Sequence, residues 1–236
     1  MDDQKEIIFF EKKLWQSGIN LIAGIDEAGR GPLAGPVVAA AVIFPPNISP
    51  FLKKDSKKLT PNQRKKLFKK IVKEAISVGI GFADSIEIDR INILNATKLA
   101  VKRAIKCLTQ KPEFLITDAL NIEEFSDKQF NLIKGDEKSF SCAAASIIAK
   151  VTRDYIMETF DSIFPDYNFK KHKGYPTKEH ISLIIKHGVS PIHRRSFGRV
   201  KEVSNWNGRG EKSFPVSAEE RLLYYREKFQ ELMGRD

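Results

Sequence analysis

The chain has 236 residues, a length that suits one domain with an appendage or at most two small domains. Hydrophobic residues make up 42% of it, which is enough for a core. Its 40 lysines and arginines outnumber its 30 aspartates and glutamates, and the formal net charge of +10 favours an acidic partner, most commonly nucleic acid. Only two cysteines are present, Cys107 and Cys142, which excludes a disulfide framework and a cysteine zinc site; we expect both to be buried thiols.

Location and assembly are predicted from the same simple features. The longest apolar run, residues 37–44, is too short to cross a bilayer, so we expect no membrane segment. Residues 1–6 are too acidic for a signal peptide, so we expect a cytoplasmic protein. A monomer is the default expectation for its assembly. The positive charge alone would also fit a basic protein that binds no polyanion.

The spacing of apolar residues predicts strands and helices in turn along the chain. The predicted helices cover residues 5–17, 61–77, 92–108, 140–160, 177–187 and 217–233. The predicted strands cover residues 20–26, 35–44, 78–83, 113–117 and 129–134. Thr60 and Ser139 are expected to cap helix N-termini, whereas Gly18 and Gly188 are expected to end helices.

Three strands joined by short connections, followed by strands that alternate with helices, predict an α/β fold with a mixed five-stranded sheet flanked by helices. Residues 1–200 would form this domain, and residues 201–236 would form a polar linker and a C-terminal helical extension. Functional sites in such sheets lie at the carboxyl ends of strands. Asp26, Asp118 and Asp136 each follow a predicted strand, so we expect them to share one edge of the sheet.

A glycine-rich turn comes directly after the first acidic pair. Asp26 and Glu27 end a predicted strand, and Gly29-Arg30-Gly31 follows. Two adjacent carboxylates can hold a divalent cation, and the glycines allow the backbone to come close to a ligand. An arginine side chain matches the geometry of a phosphate. Metal and phosphate together indicate phosphodiester chemistry.

Four carboxylates are candidates for the metal site: Asp26, Glu27, Asp118 and Asp136. Like charges that are brought together raise one another's pKa, and a divalent cation removes that cost. Oxygen ligands favour Mg²⁺ or Mn²⁺ over zinc, and two such ions can promote an in-line displacement. Any one of these residues, taken alone, is more often a solvated surface charge.

Residues 24–31 resemble the opening motif of ribonuclease HII, the type 2 ribonuclease H. Further segments that resemble the family are residues 55–59, 116–119, 134–136, 143–154, 172–180 and 191–197. The resemblance implies a ribonuclease H-like catalytic domain and a metal-dependent endoribonuclease. It also makes Asp26, Glu27, Asp118 and Asp136 the catalytic metal ligands. Asp154 competes for the fourth position, although it lies four residues from Lys150, as in a helix-surface ion pair.

The resemblance also implies the substrates, which are RNA–DNA hybrids and duplex DNA that contains single ribonucleotides. Cleavage is expected 5′ to the ribonucleotide, leaving a 3′-hydroxyl and a 5′-phosphate. The residues implied to read the ribonucleotide are Gly29, Arg30, Gly31 and Tyr175. Lys57, Lys58, Arg194 and Arg195 are candidate phosphate contacts, and Lys53, Lys54, Lys65 and Lys66 could extend this basic surface. The four histidines show no zinc-protease spacing, and we assign them no catalytic role.

Two alternatives stay open at this point. A ribonuclease HIII would share the fold, but it usually carries an additional N-terminal domain and a different turn after the acidic pair. A non-catalytic protein that binds hybrids would retain the basic surface and show no metal-dependent cleavage. The intact set of four carboxylates favours the catalytic interpretation.

Overall fold

The computed structural model describes residues 7–52, 59–204 and 217–234 and contains a five-stranded sheet. Its strands are β1 (Ile22–Ala28), β2 (Val37–Ile43), β3 (Ser77–Ala83), β4 (Phe114–Asp118) and β5 (Gln129–Leu132), in the order β3-β2-β1-β4-β5. β1 pairs antiparallel with β2 and parallel with β4, and β4 pairs parallel with β5. The predicted mixed five-stranded sheet is confirmed.

Along the chain, helices precede the first strand, separate some of the strands and follow the last strand. They are α1 (Phe9–Gln16), α2 (Pro61–Glu74), α3 (Ser85–Lys106), α4 (Gly135–Lys138), α5 (Phe140–Ile163), α6 (Phe169–His172), α7 (Lys178–His187), α8 (Gly198–Ser204) and α9 (Ala218–Met233). Within the described ranges, no helix is both long and apolar enough to cross a membrane.

The chain forms two compact units. The first contains residues 1–28, 38–81 and 98–151, and the second contains residues 29–37, 82–97 and 152–236. The predicted boundary at residue 200 stays a prediction, although the C-terminal helix belongs to the same unit as residues 152–200. Part of the predicted linker, residues 205–216, lies outside the described residues.

Residues 38–43 of β2 belong to the first unit. The whole strand is buried, and its sequence Val-Val-Ala-Ala-Ala-Val-Ile has no polar side chain. α5 packs very closely on the neighbouring β1. A Cβ atom added at Gly24 would lie 2.1 Å from the carbonyl carbon of Ser141, so only glycine permits this approach. The close packing places the start of α5 beside the part of β1 that leads to Asp26.

The N-terminus of α5 is capped twice. The Cys142 amide donates to Ser139 Oγ at 3.2 Å, which confirms the predicted N-cap. Glu11 of α1 was not expected to take part. Its Oε1 accepts from the Ser139 hydroxyl at 2.6 Å and from the Ser141 amide at 2.9 Å, and Glu11 is only 1% exposed. Burial raises the pKa of Glu11 above its ordinary value of 4.5.

Replacement of Glu11 by glutamine should therefore change how stability depends on pH. Because the folded-state pKa is raised, the native protein binds the proton more tightly than the unfolded chain. The free energy of unfolding of the wild type should fall as the pH rises from about 4.5 through the folded-state pKa. Glu11→Gln should lose this dependence, so its stability relative to the wild type should improve with pH. Denaturant unfolding between pH 4 and 8 measures the difference.

Glu11→Ala is the control for this experiment. It removes the acceptor and leaves buried donors at the helix terminus, so it should be less stable than Glu11→Gln by about 1–3 kcal/mol at every pH. A difference between Glu11→Gln and wild type that does not change with pH would show that Glu11 titrates normally.

Several predicted boundaries were wrong. The helix expected at 92–108 begins at Ser85 and breaks at Asn92, whose φ of 65° lies in the left-handed region and whose side chain accepts from the Asn95 amide. The helix expected to reach residue 77 ends at Glu74, because Ala75 is extended. Cys142 is buried as expected, but Cys107 is exposed, because it follows the last residue of α3.

The C-terminal helix α9 is packed into the second unit. Tyr225 stacks on Phe82 with ring centroids 5.3 Å apart, and Tyr224 stacks on Phe160 at 5.7 Å. Arg221 and Asp84 form a buried ion pair. The predicted helical extension is therefore present, and its aromatic face belongs to the core of this unit.

Candidate active site

Two acidic residues stand side by side at the carboxyl ends of neighbouring parallel strands. Ile25 of β1 pairs with Thr117 of β4, and Asp26 and Asp118 follow directly. Neighbouring strands lie about 4.8 Å apart, so residues at the same level of two strands are close neighbours. The sheet therefore brings together two of the predicted ligands, which are 92 residues apart in the sequence.

Asp26 is the most electrostatically strained member of this group. It is 7% exposed, and burial, followed by the charges of Glu27 and Asp118, raises its pKa well above the usual range. The hydroxyl of Ser146, on α5, and the Glu27 amide donate hydrogen bonds that partly oppose this shift. No role had been predicted for Ser146 from the sequence.

Asp136 reaches the same end of β4 by a route that the sequence did not predict. The expected strand 129–134 ends at Leu132, and Lys134 adopts a left-handed conformation with φ of 60° before α4 begins. Asp136 therefore lies on the short helix α4 and is 1% exposed. The preceding amide, that of Gly135, donates to Asp118 Oδ1 at 2.9 Å. This hydrogen bond ties the start of α4 to Asp118.

The four carboxylates fit a hard divalent cation by their chemistry. Within the described ranges, no three acidic, histidine or cysteine side chains are already grouped closely enough to hold a metal. The donors are nevertheless all carboxylate oxygens, which suit Mg²⁺ or Mn²⁺ rather than zinc. The charges of Glu27 and Asp118 act on buried Asp26, and a cation at this position would relieve that repulsion.

Arg194 does not have the role predicted for it. Its side chain is fully buried, and its guanidinium donates to the carbonyls of Gly29 at 2.6 Å, Arg30 at 2.9 Å and Gly35 at 2.9 Å. A guanidinium held in this way cannot contact a phosphate at the surface. The predicted phosphate contact is therefore wrong. Arg194 instead holds the glycine-rich turn through its backbone carbonyls.

Arg153 of α5 holds the segment that follows this turn and was missed in the sequence. It donates to the carbonyls of Ala34 at 3.1 Å, Pro36 at 3.0 Å and Lys173 at 3.0 Å. A Cβ atom at Gly29 would lie 2.2 Å from its Nε, and the φ of Gly29 is 100°, so this position requires glycine. The sequence did carry a signal that Arg153 is buried. Residues four apart share a helix face, and Arg153 lies four residues from both Ala149 and Met157, which are buried.

Arg194 binds carbonyls of the turn and Arg153 binds those of the residues after it, whereas Arg30 and Gly31 stay exposed. Nothing would lie within 4 Å of a Cβ atom at Gly31. Burial lowers the pKa of both Arg153 and Arg194. Because their donors bind backbone carbonyls rather than carboxylates, these arginines define a backbone shape.

Tyr175 lies on a loop of the same unit and is 39% exposed. The Arg153 guanidinium is 5.7 Å from the centre of its ring. The loop also contacts the segment that follows the glycine-rich turn, since the Leu33 amide donates to the Gly174 carbonyl at 2.7 Å. The structure thus brings Gly29, Arg30, Gly31 and Tyr175 together in one unit.

The structure describes only some of the remaining basic candidates. Arg195 is exposed, and its backbone amide donates to Asp89 at 2.8 Å. Lys65 and Lys66 are exposed on α2, whereas Lys53, Lys54, Lys57 and Lys58 lie outside the described residues. Asp154 lies on α5, where its charge opposes the lowering of the pKa of Arg153. The choice of Asp136 rather than Asp154 as the fourth ligand stays a prediction.

Comparison with known proteins gives consistent matches over most of the chain. A family model described as Ribonuclease HII matches residues 23–200. Ribonuclease HII of Caldanaerobacter subterraneus subsp. tengcongensis is 55% identical over 193 residues, which cover 82% of this chain and 80% of that protein. Ribonuclease HII of Acetivibrio thermocellus is 56% identical over 192 residues, or 81% of this chain and 75% of that protein. The crystal structure of ribonuclease H2 from Pyrococcus horikoshii OT3 matches with a TM-score of 0.62 and 29% identity, covering 78% of this chain and 97% of that one.

Proposed function

Because the chain belongs to the ribonuclease HII family and is an endoribonuclease, we propose that it acts with divalent metal ions on two substrates. It degrades the RNA strand of RNA–DNA hybrids, and it incises 5′ to single ribonucleotides in duplex DNA. Each cut leaves a 3′-hydroxyl and a 5′-phosphate. The observation that carries the proposal is that Asp26 and Asp118 directly follow the paired residues Ile25 and Thr117 of adjacent parallel strands, with the charges of Glu27 and Asp118 acting on Asp26.

Asp26, Glu27, Asp118 and Asp136 would hold Mg²⁺ or Mn²⁺, with two ions present during cleavage. When bound there, the ions supply Lewis acidity for an in-line displacement at phosphorus. The protein's own contribution is orientation. The Ser146 hydroxyl and the Glu27 amide fix the Asp26 carboxylate, and the Gly135 amide fixes Asp118. Such supporting hydrogen bonds keep ligand oxygens in place before an ion arrives.

The second part of the proposal concerns how a ribonucleotide is chosen. A 2′-hydroxyl both donates and accepts hydrogen bonds and separates RNA from DNA. We assign its recognition to the backbone of Gly29, Arg30 and Gly31, whose shape Arg153 and Arg194 support. The exposed ring of Tyr175 would stack on the following sugar. A site that hydrogen-bonds a hydroxyl rejects substrates without it by about 10⁴-fold or more, because its polar groups are left unpaired.

Phosphate contacts are assigned to Arg195, Lys57 and Lys58, and no longer to Arg194.

The ribonuclease HIII alternative is set aside, because identities of 55% and 56% link the chain to ribonucleases HII. A protein that only binds hybrids stays as an outcome of the experiment below. A cytoplasmic location and a monomeric state stay predictions.

The decisive experiment uses an end-labelled DNA duplex that contains one ribonucleotide, with Mg²⁺ or Mn²⁺ and with the cut mapped to the nucleotide. We expect a single cut 5′ to the ribonucleotide, and no cut in an all-DNA duplex. Asp118→Asn should lose this cut, because an amide is a neutral and weaker ligand for a hard cation. Cutting of a long hybrid without the single-site cut would limit the proposal to hybrids. Binding without any cut would contradict it.

A further inference from the structure

Three histidines that the sequence had left without a role are buried together next to the Tyr175 loop. His172 is 6% exposed, His180 is fully buried, and His193 is 1% exposed. The rings of His172 and His180 stack with centroids 4.2 Å apart, and those of His180 and His193 are 5.2 Å apart. They come from α6, from α7 and from the segment after α7, and all belong to the second unit.

Backbone groups determine which nitrogen of each ring carries the proton. The Ser190 amide donates to His193 Nδ1 at 2.8 Å, so Nδ1 is an acceptor and the proton of a neutral His193 lies on Nε2. His193 Nε2 lies 3.1 Å from His180 Nε2, which must therefore accept. The proton of His180 is then on Nδ1, where it donates to the Tyr175 carbonyl at 3.0 Å.

His172 is fixed in the same way from the other side of the loop. The Gly174 amide donates to His172 Nδ1 at 3.1 Å, and Nε2 is left to donate to the Tyr167 carbonyl at 2.7 Å. All three rings must be neutral to satisfy these bonds together. Burial agrees with this, because it lowers the pKa of His172, of His180 to about 4, and of His193.

The backbone of Tyr175 is consequently held at both of its polar groups. Its amide donates to the His172 carbonyl at 2.9 Å, and its carbonyl accepts from His180 Nδ1 and from the Thr177 amide. The ring itself stays 39% exposed. A side chain that must meet a sugar at a defined position needs this combination of a fixed backbone and an accessible ring.

We propose that His193 and His180 form a hydrogen-bond relay, running from Ser190 to the Tyr175 carbonyl, that sets the position of Tyr175 and with it the selectivity for single ribonucleotides. His180 and His193 are positioning residues, since neither is expected to touch the substrate. The inference rests on the proposed role of Tyr175. It differs from a packing role because it requires one particular tautomer of each ring.

The first test measures the tautomers in the wild-type protein. A ¹⁵N–¹H correlation spectrum of the imidazoles of the wild-type protein at neutral pH should show His180 protonated on Nδ1 alone and His193 protonated on Nε2 alone. Each signal is assigned by its absence from a variant in which that one histidine is replaced. A His180 protonated on Nε2, or on both nitrogens, would overturn the relay whether or not the protein cuts at single ribonucleotides.

The second test compares two substitutions at one position. Asparagine can place its amide nitrogen near the site of Nδ1, so His180→Asn can keep the bond to Tyr175. Glutamine places its amide near Nε2, so His180→Gln keeps only the contact with His193. We expect His180→Gln to cut a single-ribonucleotide duplex at least about tenfold more slowly than His180→Asn, because small displacements of positioned groups reduce rates strongly. Cleavage of a long hybrid should differ far less between them.

Matched controls separate the outcomes. His187→Asn and His187→Gln change a half-buried histidine that lies outside the relay, and they should match each other on both substrates. Melting temperatures of all four variants identify any loss of folding. Equal selectivity of His180→Asn and His180→Gln at equal melting temperature would overturn the inference. A wild type with no single-ribonucleotide cut would instead contradict the proposed function, and the tautomer spectrum would still test the relay.

Discussion

Asp26→Asn is expected to reduce cleavage of both substrates by more than about 100-fold, while making the metal-free protein more stable. A cation bound at this site contributes several kcal/mol of charge stabilisation, and each 1.36 kcal/mol is a tenfold change in rate. The gain in stability has a separate cause. Asp26 is 7% exposed and faces the charges of Glu27 and Asp118, so a neutral amide relieves both desolvation and repulsion.

Thermal unfolding with and without metal measures the second half of this prediction. In EDTA, Asp26→Asn should melt above the wild type. Added Mg²⁺ or Mn²⁺ should raise the melting temperature of the wild type, because the ion binds only the native site, and should raise that of the variant much less. Asp154→Asn is the comparison for the competing ligand. If Asp154→Asn lost both activity and metal stabilisation while Asp26→Asn retained them, the assignment of Asp26 would be wrong.

The acidic part of the site could be predicted because strand ends leave a sequence signal. The apolar runs before Asp26 and Asp118 mark two strands, and parallel pairing of those strands brings the two carboxylates together. Asp136 was expected to follow the end of the strand at 129–134, whereas it lies on α4, whose first amide donates to Asp118 at the end of β4. The left-handed Lys134 and the one-turn helix α4 depend on the Gly135 amide reaching Asp118, which no local pattern indicates.

The support of the glycine-rich turn could not be predicted in the same way. A buried arginine whose donors bind backbone carbonyls leaves no complementary acidic residue in the sequence. The acceptors of Arg153 and Arg194 are also distant, because Pro36 is 117 positions from Arg153 and Gly29 is 165 positions from Arg194. Arginine is rarely buried without a charged partner, so the basic pair at 194 and 195 is more naturally interpreted as surface. The tautomers of the histidines likewise depend on contacts that only the fold defines.

The adjacent arginines at 194 and 195 allow a matched comparison, since each alanine substitution removes the same charge. Arg194→Ala should lower the free energy of unfolding by about 3–5 kcal/mol, because it leaves the buried carbonyls of the turn without donors. Arg194→Lys should be intermediate, because an ammonium lacks the planar fork that spans several carbonyls. Arg195→Ala should change stability by no more than about 0.5 kcal/mol, since its side chain is exposed.

Arg195→Ala and Arg194→Lys should also differ in nucleic-acid binding. If Arg195 contacts one phosphate, Arg195→Ala should reduce the slope of log affinity against log salt by about 0.9. The slope should stay unchanged in Arg194→Lys, whose position is buried, while its discrimination between a ribonucleotide and a deoxyribonucleotide should weaken. Urea unfolding and binding titrations at several salt concentrations measure both effects. Equal losses of stability in Arg194→Ala and Arg195→Ala would mean that the carbonyl contacts of Arg194 do not hold the turn. A changed salt slope in Arg194→Lys would return Arg194 to the phosphate-binding surface.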